Sequence, residues 1–188
     1  MNKTLLRLAL TITLISSLDN SLNAQVFRGL SAFKELIEFE GQRYLMDEIY
    51  DVKSEDFDKL KIDKTIKEID NDEGFMFVLT SYKFNDKRGV VITSLNSKSF
   101  FNERYGFTNV HLTHNEYLDL YENFIELEEN DINNDDHILR KFNERLIIDV
   151  NKSEGIVYFT LWVDNQNRHT FSRAKWDRAL KRYKKYVE

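Results

Sequence analysis

Two stretches of this chain close a run of strand-like segments with the same local pattern, and this repetition constrains the fold most. His111-Leu112-Thr113 leads into Tyr117, Leu120, Tyr121 and Phe124. Thr170-Phe171-Ser172 leads into Trp176, Ala179, Leu180 and Tyr183. In each, an apolar strand end meets a hydroxyl residue, an aromatic follows four residues later, and apolar residues recur three, four and seven positions beyond it. Such spacing gathers apolar side chains on one face of a helix. Thr113-His-Asn-Glu116 also has the spacing of a capping box, in which the Thr oxygen accepts an early backbone N–H and Glu reaches back. Helices are therefore predicted over 113–128 and 172–187, the second opened by Ser172.

Strand signals fill the space before each helix. Ile62–Ile69, Phe75–Phe84 and Val90–Leu95 are rich in β-branched and aromatic residues, with turns expected at Asn71–Gly74 and Asn85–Gly89. After the first helix, Ile138–Val150 carries a strand near its end, Asn151–Gly155 turns, and Ile156–Val163 reads as a strong strand. Asp164–Asn167 is a hairpin loop leading to a short return strand at His169–Phe171. Nearer the start, Val26, Leu30, Phe33 and Ile37 mark a helix over 26–40, with Gly41 expected to close it. Arg43–Val52 suits a short helix or a strand equally, and Ser54 opens a short helix over 54–61. The 96–106 segment reads as a loop whose Phe100, Phe101 and Tyr105 either close a core or contact a partner.

The expected fold class is α+β, an antiparallel sheet packed by amphipathic helices, with a strands-then-helix unit used twice. This order of elements is similar to the tandem four-strands-then-helix arrangement of Whirly-type and Pur-type single-strand binding proteins. The similarity covers roughly 62–188 and concerns element order, with no shared motif, and the second unit reads one strand short. It implies a scaffold able to bind single-stranded nucleic acid or another polyanion.

Residues 1–24 read as a secretory signal. Lys3 and Arg7 precede an apolar run from Leu8 to Leu18, and Ala24 offers a cleavage point. The run is too short to span a bilayer, and no later stretch is apolar enough to do so. The expected product is Gln25–Glu188, one globular α+β domain, secreted or periplasmic. Export argues against intracellular nucleic acid as the partner. The chain contains no Cys and no Pro among its 188 residues. Disulfides, thiolate metal sites and Cys nucleophiles are thereby excluded, and stability must come from the core unless a metal or partner helps. With six Gly, a glycine-rich phosphate loop is nearly excluded as well.

Charge is the most informative functional feature. The whole chain carries 27 Lys and Arg against 32 Asp and Glu, a formal net charge of -5. From Arg168 onward, eight basic residues face two acidic ones, whereas Asn115–Asp136 holds nine acidic residues and no basic one. One helix is acidic and the last is basic. Arg173, Lys175, Arg178, Lys181, Arg182, Lys184 and Lys185, with Tyr183 and Tyr186 interleaved, form a candidate contact for a polyanion or a partner protein. The alternatives are a solvated outer face, with cations placed favourably near a helix C-terminus, and pairing with the acidic helix.

Other chemistry is thinner. Asp131, Asn133 and Asp135 match the start of a calcium loop, but the sixth position is Asp136 instead of Gly and the twelfth is Phe142 instead of Glu. His111 and His114 lie near Glu116, yet a strand residue and a helix start share no helical face for zinc. His137 and His169 show no evident partner, and His169 is expected on the surface of an edge strand. No G-x-S-x-G, P-loop, H-E-x-x-H or dinucleotide fingerprint occurs, so no cofactor is expected. A hydrolase would need only two well-placed carboxylates, and no pair stands out. The expectation is an exported, non-catalytic binding or envelope-associated module, with a polyanion binder and a small carboxylate-dependent hydrolase as rivals.

Overall fold

The computed structural model describes residues 35, 37, 39–69, 76–95, 106–129, 136–165 and 167–188. The signal segment, most of the helix expected over 26–40, the aromatic loop and the calcium-like loop lie outside the described residues. Within Ile37–Glu188, which forms one compact unit, helix α1 is seen over 39–44 and widens into a π-turn at Leu45–Ile49. A 3-10 turn follows at Ser54–Lys59. The strands are β1 (Leu60–Ile69), β2 (Met76–Phe84), β3 (Lys87–Leu95) and β4 (Phe107–Thr113), then helix α2 (His114–Glu128). Next come β5 (His137–Lys141), β6 (Leu146–Ser153), β7 (Ile156–Val163), β8 (Asn167–Ser172) and helix α3 (Arg173–Val187).

The fold is α+β, and the expected sheet is two sheets. β1-β2-β3-β4 form one antiparallel meander and β5-β6-β7-β8 the other. Each is followed at once by a helix, so the strands-then-helix unit occurs twice. The second unit has its full complement of strands. Arg140 and its neighbours pair with β6 through Leu139↔Asp149, which supplies the strand that the sequence pattern lacked. The hairpin turns are tighter than expected, because polar residues read as turns are strand ends. Asn151 pairs with Tyr158, and Lys87 with Phe84. Left-handed backbone occurs in the hairpin turns at Asn85, at Glu154 and Gly155, and at Asp164 and Asn165, and also at Asp51 before the 3-10 turn.

The main core lies between the sheets and under both helices. Phe77, Leu79, Val90 and Ile92 from the first sheet meet Ile148, Val150, Phe159 and Leu161 from the second, with Tyr117, Phe124, Trp176 and Tyr183 from the helices. Neither unit owns its helix. α2 packs on β3 and β4 but also on β6, and α3 packs on β7 and β8 but also on β1 and β2. A shift of 59 residues carries Thr113 onto Ser172, Tyr117 onto Trp176 and Phe124 onto Tyr183. The helix contacts obey the same exchange. Tyr117 meets Tyr183 edge-on at 4.8 Å, and Phe124 meets Trp176 at 5.3 Å between ring centroids. A pair that maps onto its own reverse is the signature of an approximate two-fold relation.

The outer face of the first sheet carries a second, smaller core of Leu45, Leu60, Tyr82, Phe84 and Val91. Gly41 does not end a helix there, contrary to expectation. The helix continues to residue 44, and a Cβ at Gly41 would sit 2.6 Å from the Thr93 Oγ1 atom of β3. Glycine is required for this close approach, not for a helix stop. Asn109 locks the contact: its amide oxygen accepts from Thr93 at 2.9 Å, and its amide nitrogen donates to Glu40 at 3.2 Å.

Candidate binding surface

The last helix buries Trp176, Ala179, Leu180, Tyr183 and Val187 and turns its charged residues outward. Ser172 occupies the cap position, but its side chain makes no cap hydrogen bond, unlike Thr113, whose full capping box forms with Glu116. Burial of the apolar face, not the cap, therefore orients α3.

Of the nine residues expected at this contact, Tyr183 is buried in the core and not available to a partner, and the other eight divide by environment. Arg173 reaches Glu128 at 2.5 Å and Asp177 at 3.7 Å. Arg182 forks onto both oxygens of Asp63 in β1, at 2.6 and 2.7 Å, and holds that carboxyl below its ordinary range. Lys175 is half-buried with its ammonium 4.8 Å from the Phe171 ring, and burial, then Arg178, lowers its pKa. Tyr186 is half-buried under the Lys83 ammonium, 5.5 Å from the ring, and its hydroxyl is pushed up to about 12 by burial, then by Asp63. The remaining four, Arg178, Lys181, Lys184 and Lys185, are exposed and have no carboxylate within ion-pair distance among the described residues.

Three of those four cations converge. Lys181, Lys184 and Lys185 line a depression of about 460 Å³ with Tyr121, Asp177, Leu180 and Glu188. Tyr121 donates to the Asp177 carboxylate across the seam between α2 and α3, and burial, then Asp177, pushes its hydroxyl up to about 12. Tyr121 and Leu180 had appeared in the sequence only as core-face residues. Their place in the seam depends on the second helix, which local spacing does not reveal. On the acidic side, Glu116, Asp119, Glu122 and Glu126 line a separate depression of about 500 Å³ with Asn143 and Phe142.

The histidines are tied into the fold. His111 Nε2 and Tyr82 share a hydrogen bond of 2.6 Å, and Tyr82 and Tyr50 share one of 2.5 Å, with burial lowering the His111 pKa. His114 Nδ1 and Tyr183 share one of 2.8 Å. No group of three metal-ligating side chains occurs among the described residues. His137 does have a partner, Asp149, at 3.1 Å. His169 is not a surface residue: it is buried, bonded to Ser94 at 2.7 Å and packed on Phe77 at 4.7 Å. Its strand is at the edge of its sheet, but the other sheet covers its side chain.

Among the described residues no helix is long and apolar enough to cross a membrane. No family model, curated protein or solved structure matches this chain. The similarity in element order to Whirly-type and Pur-type proteins is thus matched by no family model or solved structure.

Proposed function

We propose that this protein is an exported, non-catalytic binding module, secreted or periplasmic, whose contact surface is the outer side of α3. The observation that carries this reading is the set of four exposed cations, Arg178, Lys181, Lys184 and Lys185, that have no ion-pair partner among the described residues. Arg173 and Arg182, by contrast, are already engaged by carboxylates of the same chain. A polyanionic ligand is the second reading, favoured by three of these cations lining one depression. The hydrolase reading draws less support. Glu116, one of the carboxyls that line the acidic depression, is held below its ordinary range by hydrogen bonds from Thr113, which opposes the raised pKa of a general acid.

Retention on a sulfated polysaccharide tests the surface. Four basic side chains that displace counterions from the polyanion should give log K a slope of about -3 against log salt. K184E/K185E should elute at clearly lower salt with an unchanged melting curve. Unchanged elution of this variant would remove the surface from consideration. For export, the N-terminus of the product recovered outside the cytoplasm should be Gln25, and an uncleaved chain retained in the cytoplasm would contradict it.

A further inference from the structure

The shift that superimposes the two helices reverses their charge. It carries Glu116 onto Lys175, Asp119 onto Arg178, Glu122 onto Lys181 and Glu126 onto Lys185. Tyr117, Leu120 and Phe124 fall on apolar Trp176, Ala179 and Tyr183, while these four outer positions correspond as acid to base; Glu128 falls on Val187 and Glu129 on Glu188.

The two stripes do not neutralise each other within the chain. α2 and α3 lie side by side and antiparallel, with Glu128 beside Arg173 and His114 beside Tyr183. Their seam is closed by residues facing each other, Tyr121 with Asp177 and Glu128 with Arg173. Asp119 and Glu122 on one helix, and Arg178 and Lys181 on the other, are exposed and have no ion-pair partner among the described residues.

We propose that the partner of this surface is a second copy of the same chain, docked α2 on α3 and α3 on α2. This rests on the reading of α3 as a contact surface and names what it contacts. A half-turn about an axis parallel to the helices lays the acidic helix of one copy over the basic helix of the other, twice. The register follows from the seam. Tyr117 beside Tyr183 and Phe124 beside Trp176 set equal heights along the helices, so the half-turn brings Asp119 opposite Lys181 and Glu122 opposite Arg178. The facing helices then run antiparallel, which also suits their dipoles. Such an isologous patch is self-complementary and closes as a dimer. Two 15-residue helices present a footprint about 22 Å long and about 20 Å wide. That is at the small end of specific interfaces, so the dimer is weak and salt-sensitive.

Sedimentation velocity of the full chain tests this at about 50 mM and about 500 mM salt. The expected result is a concentration-dependent dimer at low salt whose affinity falls at least about tenfold at high salt. R178E/K181E and D119K/E122K each alter only exposed residues, so both should fold with wild-type circular dichroism. Each should be monomeric alone, and an equal mixture should recover a heterodimer. A wild-type chain that stays monomeric at low salt, or a mixture that does not associate, overturns the proposal. If the wild type is monomeric but retention on the sulfated polysaccharide is lost in R178E/K181E, the contact surface stands and its partner is a polyanion. If neither association nor retention occurs, both readings fail.

Discussion

Helices α2 and α3 hold equivalent places in the two units and share one core, yet one wears acid where the other wears base. Their buried faces had little freedom. Tyr117, Phe124, Trp176 and Tyr183 contact one another in reciprocal pairs, so each residue is constrained by its counterpart's partner. Their outer faces met no such constraint, and there the charge reversed. Shared packing constrains the buried faces of the two repeated units, and their solvent-facing positions are where the units can differ. The sheets show a related difference. The outer face of the first carries its own small core around Leu45, Tyr82 and Val91, while on the corresponding face of β7 Tyr158 and Trp162 are half-buried and Thr160, the counterpart of Val91, is a buried polar residue.

The most severe way to break the equivalence is through the reciprocal aromatic pairs. Phe124→Ala and Trp176→Ala should each cost about 3–5 kcal/mol in denaturant unfolding, since both side chains are buried and touch each other. The double variant should lose less than the sum, because the first truncation already removes the shared contact. A large cost in one helix and a negligible cost in the other would show that the units are not mutually supported.

The caps sharpen the comparison at lower energy. Thr113→Ala should destabilise by about 1 kcal/mol, because it deletes the side-chain half of a formed capping box and leaves only the backbone N–H of residue 113 donating to Glu116. Ser172→Ala should be close to neutral, since that hydroxyl makes no cap hydrogen bond. Equal losses in thermal unfolding would contradict the difference between the two helix starts.

The smallest expected effect is at the surface. Arg182→Ala removes the fork onto Asp63, an exposed pair of the kind that contributes about 0–1 kcal/mol. Loss of more than this in denaturant unfolding would mean that the α3–β1 contact supports the fold, and α3 would then be a structural helix first.

Much of this architecture was legible because its causes are local. A capping box and an apolar stripe report neighbours within one or two turns, so α2 and its boundaries could be read directly. The short strand β5 was not legible, since its exposed-to-intermediate alternation gains meaning only when β6 supplies backbone partners. Gly41 was misread for the same reason: a glycine looks like a helix stop until Thr93 stands against it. His169 looked exposed on an edge strand until Ser94 and Phe77 closed over it. Within the candidate surface, all the cations were visible in sequence, but the partners that divide them were not, because Asp63 is 119 residues from Arg182.

By itself the sequence determined the element types, the repeated strands-then-helix order, the buried faces of the last two helices and the opposite charge of their outer sides. These follow from periodicity and side-chain chemistry, which act over a few residues. Only the tertiary structure decided that the strands form two sheets, that each helix packs on both, and which cations are left without a partner. Those outcomes depend on which distant groups are brought within a few ångströms, and burial and ion pairing acquire their energies only at that range.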